Sequence, residues 1–210
     1  MSRRNDHTRD ELRELIISSA QQIILSEGMG ALTARALASR IGYTVGTLYN
    51  VFYNLDDILL HVNGRTLDAL QKTLYDIPDQ YTRPTRILIE FAREYIRFAK
   101  ENPALWRLVF ASPPETKGLP EWYREKLQGL VSLIEQLVLP LARPEHSDNA
   151  RGAAHVLWAG LNGICLLMLN NKLPVNDERP EYVLGESLIV HYLEGFLSRA
   201  HVRALETEMA

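Results

Sequence analysis

Six residues between positions 44 and 53 have side chains suited to contact with a nucleic acid: Thr44, Gly46, Thr47, Tyr49, Asn50 and Tyr53. Hydroxyls and an amide bond to phosphate oxygens or to base edges. Asn50 carries the paired donor and acceptor that read adenine bidentately. Gly46 has no side chain, so the backbone can approach a partner closely there. Upstream, Arg35 is placed for a phosphate contact. These groups act together only if a scaffold turns them to the same side.

Residues 34 to 52, ARALASRIGYTVGTLYNVF, have the spacing of such a scaffold, a helix-turn-helix. Leu37 and Ile41 face inward on the first helix, and Ala38 sits where the two helices cross. Gly42 supplies the sharp turn, at a positive φ that only glycine adopts cheaply. Val45 and Leu48 are the inward positions of the second helix, with Val51 or Phe52 closing it. Thr33 and Thr44 are suitable N-caps. Such a pair presents the start of its second helix to the major groove. Thr33 and Val45, at the two helix starts, complete the expected DNA-binding set.

The surrounding sequence predicts helices throughout. Leu12, Ile16, Ala20, Ile23 and Ile24 form an apolar stripe at steps of three to four, ended by left-handed caps at Gly28 and Gly30. Asn54 caps a longer helix to about Asp76, and Pro78 and Pro84 mark a boundary. A stripe through Ile87, Phe91, Tyr95 and Phe98 follows, stopped at Asn102-Pro103, then a short helix from Leu105 to Phe110 and a loop at Ser112-Pro113-Pro114. Leu119, Tyr123, Leu127, Leu130, Ile134, Leu137 and Leu141 predict a strongly amphipathic helix whose last turn Pro140 disturbs. Two more helices cover about 147–172 and 180–200, with Pro174 and Pro180 bracketing the loop between them. The expectation is an all-α chain of about nine helices: an N-terminal three-helix head (1–55) and a C-terminal helical bundle (56–210).

Composition excludes several alternatives. A chain of 210 residues, 46% hydrophobic and 23% charged, is ordinary for a globular protein. Net charge is −3, and residues 1–65 balance seven basic against seven acidic groups, so charge alone does not announce nucleic-acid binding. Arg3, Arg4, Arg9 and Arg13 could touch phosphates locally, although charge alone favours a solvated, frayed terminus. The single cysteine, Cys165, fits a reducing cytoplasm. No apolar stretch follows the first arginines, so no signal peptide is expected. The apolar run from Ala153 to Leu169 is about one turn short of a confident membrane span and reads as a buried helix. Enzyme and metal signatures are missing: no Gly-x-Ser-x-Gly, no phosphate loop, no His-Glu-x-x-His and no paired-cysteine site. No cofactor and no metal are expected.

The sequence resembles the TetR family of bacterial regulators. Glu27-Gly28, the opening Thr33 to Ala38, the stretch Gly46 to Phe52 and the acidic Asp56-Asp57-Ile58-Leu59 match that family's pattern, over about residues 9–62. Leu157-Trp-Ala-Gly-Leu-Asn-Gly163 resembles the tryptophan-containing eighth helix of one C-terminal subgroup. The resemblance implies a homodimer on a near-palindromic double-stranded DNA operator, released by a small effector, with repression the commoner outcome. Two positions depart from the pattern: Val45 replaces a basic residue, and Leu55 replaces a lysine. Affinity is then expected to lean on Arg35 and the N-terminal arginines.

In this frame the C-terminal helices have two tasks. For dimerisation the expected residues are Leu157, Leu161, Leu184, Leu188, Tyr192 and Phe196, on the last two helices. For a small, mostly apolar effector they are Tyr95, Trp106, Phe110, Trp122, Trp158, Asn162, Cys165 and Met168. His155 and Asn162 interrupt an apolar helix and need hydrogen-bond partners. A protein partner in place of the effector is the alternative with the same fold; a helical-bundle enzyme is the alternative outside it.

Overall fold

A computed structural model describes residues 7–77, 83–111, 118–141, 147–173 and 178–208, of which 147–148 and 197–208 are described by their helix alone. Arg3, Arg4, Pro78, the Ser112–Pro114 loop and Pro174 lie outside these residues. Among them are nine α-helices, two short 3-10 turns and no strand. The helices are α1 (Arg9–Glu27), α2 (Ala34–Ile41), α3 (Val45–Tyr49), α4 (Leu55–Tyr75), α5 (Pro84–Glu101), α6 (Pro103–Phe110), α7 (Glu121–Val138), α8 (Ser147–Leu169) and α9 (Pro180–Glu208).

Most boundaries follow from local chemistry. Thr8 opens α1 with a full capping box: its hydroxyl takes the Glu11 N–H, and the Glu11 carboxylate takes the Thr8 N–H at 2.7 Å. Pro84 stands at the first turn of α5, where its missing N–H costs nothing. Beyond Val138 the chain tightens into a 3-10 turn at Leu139–Leu141, where Pro140 removes a helical donor.

Three ends differ from expectation. Gly28 has φ 86° and ψ 165°, outside the left-handed helical region, and Gly30 lies inside a 3-10 turn, Met29–Ala31. The recognition segment leaves the α-helix at Tyr49 rather than Phe52, because Val51 donates to the Leu48 carbonyl one residue short of the helical step. Helix α9 continues past Ala200 to Glu208, since no glycine or proline interrupts that run.

Packing divides the chain into two units. The first is Met1–Leu67 with Ala104–Tyr123; the second is Asp68–Pro103 with Arg124–Ala210. In the first, Ile16, Ile23 and Ile24 of α1 join Leu37, Leu48, Phe52, Ile58 and Val62 in one core cluster. In the second, α5, α8 and α9 pack on one another. Helix α8 is long and apolar enough to cross a membrane by length and composition alone. It buries Ala150, Ala153, Ala154, Leu157, Leu161 and Cys165 against its own chain but leaves Val156, Leu166 and Leu167 exposed on its other face, so it is buried on one side only rather than all round as expected. Two glycines set the spacing here. A Cβ on Gly160 would lie 2.5 Å from Leu188 Cδ2, and one on Gly185 would lie 2.7 Å from Ile96 Cδ1.

Candidate nucleic-acid interface

The helix-turn-helix is assembled by its own short-range bonds. The Thr33 hydroxyl accepts from the Ala36 N–H at 3.1 Å and starts α2. At the other end Gly42 has φ 74° and ψ 26°, the left-handed conformation. The Tyr43 N–H then reaches the Ala38 carbonyl at 3.0 Å, and the Gly42 N–H reaches that of Ser39 at 3.3 Å. This pairing satisfies the last carbonyls of α2 while reversing the chain. Thr44 starts α3: its hydroxyl accepts from the Thr47 N–H at 3.3 Å and lies 3.0 Å from the Thr47 hydroxyl. Leu37, Ala38 and Leu48 are buried beneath, which locks the two helices together.

This core turns one side of the pair outward. Arg35, Thr44, Gly46, Tyr49, Asn50 and Tyr53 are exposed, Tyr53 at 94%, and Thr47 is half-buried. Thr33 is exposed too, although its oxygen is engaged as a cap. Val45 differs from the rest of the predicted set: it is half-buried and packs against the core cluster, as does Leu55. The two positions where a cation was missed are therefore apolar contacts of the head.

Gly46 is open. A Cβ there would meet only Thr44 Oγ1, at an ordinary 3.7 Å, and its φ is not positive. Neither the chain's own packing nor its backbone requires a glycine at this position.

The supply of cations is smaller than expected. Arg13 is turned inward: its Nη2 lies 2.7 Å from His61 Nε2, and its guanidinium sits 5.0 Å above the Phe52 ring. Its candidacy for a phosphate contact is corrected accordingly. Arg40 pairs with Glu27 at 2.6 Å, and Arg65 bonds Glu14 and Ser18. Arg9 and Arg35 are exposed and have no ion pair among the described residues. Sequence reasoning also missed a contact beside the turn: His7 Nδ1 lies 2.8 Å from the Tyr43 hydroxyl. No sequence pattern links residues 36 apart in this way.

The eight effector candidates divide between the two units. Trp106, Phe110 and Trp122 lie in the first, where Trp106 is buried and Trp122 stacks on His61. Tyr95, Trp158, Asn162, Cys165 and Met168 lie in the second. There the Tyr95 hydroxyl donates to Asn162 Oδ1 at 3.0 Å, and Asn162 Nδ2 donates to the Trp158 carbonyl at 2.9 Å. That bonding explains an asparagine within an apolar helix. His155 needs no buried partner, because it lies on the exposed face with Nδ1 2.8 Å from the Arg151 carbonyl. Burial pushes the Cys165 thiol up to about 12. Among the described residues no group of three His, Cys, Asp or Glu could hold a metal.

Two of the six dimer candidates, Leu157 and Leu161, face inward: they are fully buried within their own chain, so they have no surface left for a partner. Leu188 is half-buried and packs on Gly160. Tyr192 and Phe196 are half-buried and stack at 6.4 Å. Leu184 is exposed, and so are Val156, Leu166, Leu167 and Val183.

Known proteins share this layout. Residues 16–62 match the family described as bacterial regulatory proteins, tetR family, and residues 88–191 match the tetracyclin repressor-like C-terminal domain. An uncharacterized HTH-type transcriptional regulator of Mycobacterium tuberculosis is 26% identical over 155 residues, 74% of this chain and 69% of that protein. The HTH-type transcriptional regulator PksA of Bacillus subtilis is 20% identical over 187 residues, 88% of this chain and 90% of that protein. Among solved structures, Thermus thermophilus FadR, a TetR-family transcriptional repressor in complex with lauroyl-CoA, shares the fold. Its TM-score is 0.67 at 19% identity, over 87% of this chain and 94% of that one. These relatives are regulators of transcription, not enzymes.

Proposed function

The chain belongs to the TetR family of bacterial regulatory proteins, and on that premise we propose that it is a homodimeric repressor released from DNA by a small, mostly apolar effector. Residues 1–55 are its DNA-binding portion, and 56–210 dimerise and take the effector. Each chain sets residues 44–50 in one of two successive major grooves of a near-palindromic operator.

The observation that carries this reading is the open position at Gly46. A glycine costs up to about 1 kcal/mol relative to alanine in a helix interior, and less in the first turn, where Gly46 stands. The chain's own packing gives nothing back for it, whereas a DNA backbone in close contact does. Around it, Thr47, Tyr49 and Asn50 supply the polar groups that phosphates and base edges accept.

For the dimer, the exposed faces of α8 and α9 support a seam at Val156, Ala159, Gly163 and Leu167, flanked by Leu184. Steps of three and four put the α8 residues in one stripe, and Ala159 and Gly163 are small enough for close helix approach. For the effector, Tyr95, Asn162 and Trp158 form a polar end among apolar neighbours in the second unit. The lauroyl-CoA bound by the Thermus thermophilus repressor supports an effector that carries an apolar chain. Release requires that the effector bind the DNA-free arrangement more tightly than the DNA-bound one.

The test is selection of genomic DNA fragments by the purified protein at two salt concentrations, followed by sequencing. One near-palindromic site enriched at both salts supports the reading. Retention only at low salt, without a shared sequence, contradicts it.

A further inference from the structure

We propose that His61 is a proton-operated switch in the reading head: the neutral ring holds Arg13 inside the head, and the protonated ring turns to Asp57 and releases Arg13 to the DNA backbone. Affinity for the operator then rises as pH falls. The inference rests on the regulator reading above and adds a mode of regulation to it.

The surroundings of one atom carry it. His61 Nε2 lies 2.7 Å from Arg13 Nη2 and 3.6 Å from Asp57 Oδ1. A guanidinium can only donate, so the short contact needs a ring nitrogen with a free lone pair. Nδ1 offers no escape, at 3.2 Å from the same Arg13 nitrogen. Once the ring takes a proton, two cations face each other at hydrogen-bond distance, and a carboxylate stands one small ring movement away. The indole of Trp122, stacked on the same ring, also attracts a cation. The charges around His61 are Arg13 and Glu14 from α1 and Asp57 and Arg65 from α4. Arg65 is bonded to Glu14 and Ser18, so Arg13 and Asp57 are the pair that responds. Phe52 and Trp122, the contacts from the other elements, bring no charge. Burial and the Arg13 charge hold the ring's pKa below 6.5, so the DNA-free head rests in the holding state at neutral pH.

Release matters because of where Arg13 is held. It is half-buried, with its guanidinium 5.0 Å above the Phe52 ring. The next residue, Tyr53, is 94% exposed on the face proposed for DNA, and its N–H donates to Asp57 Oδ2 at 2.9 Å. Arg13, His61, Asp57 and Tyr53 therefore form one chain of contacts that ends at that face. Cations are scarce there: Arg40 and Arg65 are paired within the head, leaving Arg9 and Arg35 among its described residues. A released Arg13 adds a third beside Tyr53. A phosphate that takes Arg13 also removes the repulsion on the imidazolium, so the DNA-bound head holds its proton more firmly than the free head. By linkage, affinity rises as pH falls through the titration of His61.

The test is the affinity of the full-length protein for the genomic duplex it selects, measured from about pH 8 to 5 with helical content followed at each pH. The wild type should gain at least about tenfold more than His61→Gln, and its slope of log affinity against log salt should steepen by about 2 for a dimer, at about 0.9 per phosphate contact. Glutamine still offers Arg13 an acceptor but takes no proton, and exposed histidines such as His7 add the same background to both proteins. Arg13→Gln should abolish the extra gain although His61 still titrates, which NMR of its imidazole reads without DNA; the imidazole pKa should rise in that variant. An equal gain in the wild type and His61→Gln overturns the switch. So does a gain that survives Arg13→Gln, or an imidazole pKa that Arg13→Gln leaves unmoved. If the wild-type protein selects no duplex at any pH, the regulator reading itself fails, and the switch with it.

Discussion

The imidazole of His61 lies flat against the indole of Trp122, with ring centroids 4.6 Å apart and planes 2° from parallel. The same ring accepts from Arg13 at 2.7 Å, touches Phe52, and stands 3.6 Å from the Asp57 carboxylate. Burial, reinforced by the Arg13 charge, holds its pKa below the ordinary histidine value of 6.5. The unfolded chain therefore takes this proton at a higher pH than the folded one. The sign follows: stability falls as pH drops below about 6.5 and levels off once the folded state is also protonated. Carboxylates titrate lower, near 4. Urea unfolding between pH 8 and 5.5 should show this decline in the wild type and a shallower one in His61→Gln. Parallel curves would remove His61 as the cause.

The thiol of Cys165 should be inert. It is fully buried and its pKa is pushed up to about 12, so essentially no thiolate exists at neutral pH. A colourimetric thiol reagent should react only after denaturant is added. Rapid reaction in native buffer would mean that the α8 core opens readily.

The two faces of α8 should respond oppositely to a charge. Val156→Arg, on the exposed face, should leave the helical signal close to wild type while shifting the protein to a monomer in sedimentation, with the melting midpoint lowered only by the lost association. Leu157→Arg puts a charge into the core and should cost at least about 3 kcal/mol, enough to unfold a marginal domain. A Val156→Arg protein that remains dimeric would rule out the proposed seam.

Close packing at Gly160 and Gly185 leads to a stability prediction. Alanine gains about 1 kcal/mol of helix propensity at either position but must displace Leu188 or Ile96. Overpacking of a core costs about 1–3 kcal/mol, so Gly185→Ala, against the fully buried Ile96, should lower the melting midpoint by a few degrees. An unchanged or raised midpoint would show that Ile96 moves aside freely.

Much of the reading head was legible in the sequence because its determinants are local. Thr33, Gly42 and Thr44 act within a few residues of themselves, and the burial of Leu37, Ala38 and Leu48 follows helical period. Arg13 shows where that logic stops. Near a run of arginines it resembles a phosphate contact, yet its actual partner, His61, is 48 residues away. Helix α8 shows a second limit. It is apolar almost all round, so periodicity cannot choose which side packs inward. The choice falls on Leu157 and Leu161 rather than Val156 and Leu167, and it is set by partners on other helices, such as Leu188 against Gly160. The tie between His7 and Tyr43 is likewise a product of the tertiary fold.

The reading head is tested most directly by Gly46→Ala, measured for both melting midpoint and affinity for the selected operator. The substitution meets nothing closer than 3.7 Å within the chain and adds helix propensity, so the midpoint should hold or rise. Affinity should fall at least about tenfold, because the new methyl group occupies the space reserved for DNA; a single good contact is worth about 1–3 kcal/mol. Wild-type affinity in a stably folded Gly46→Ala protein would contradict the assignment of this face to DNA.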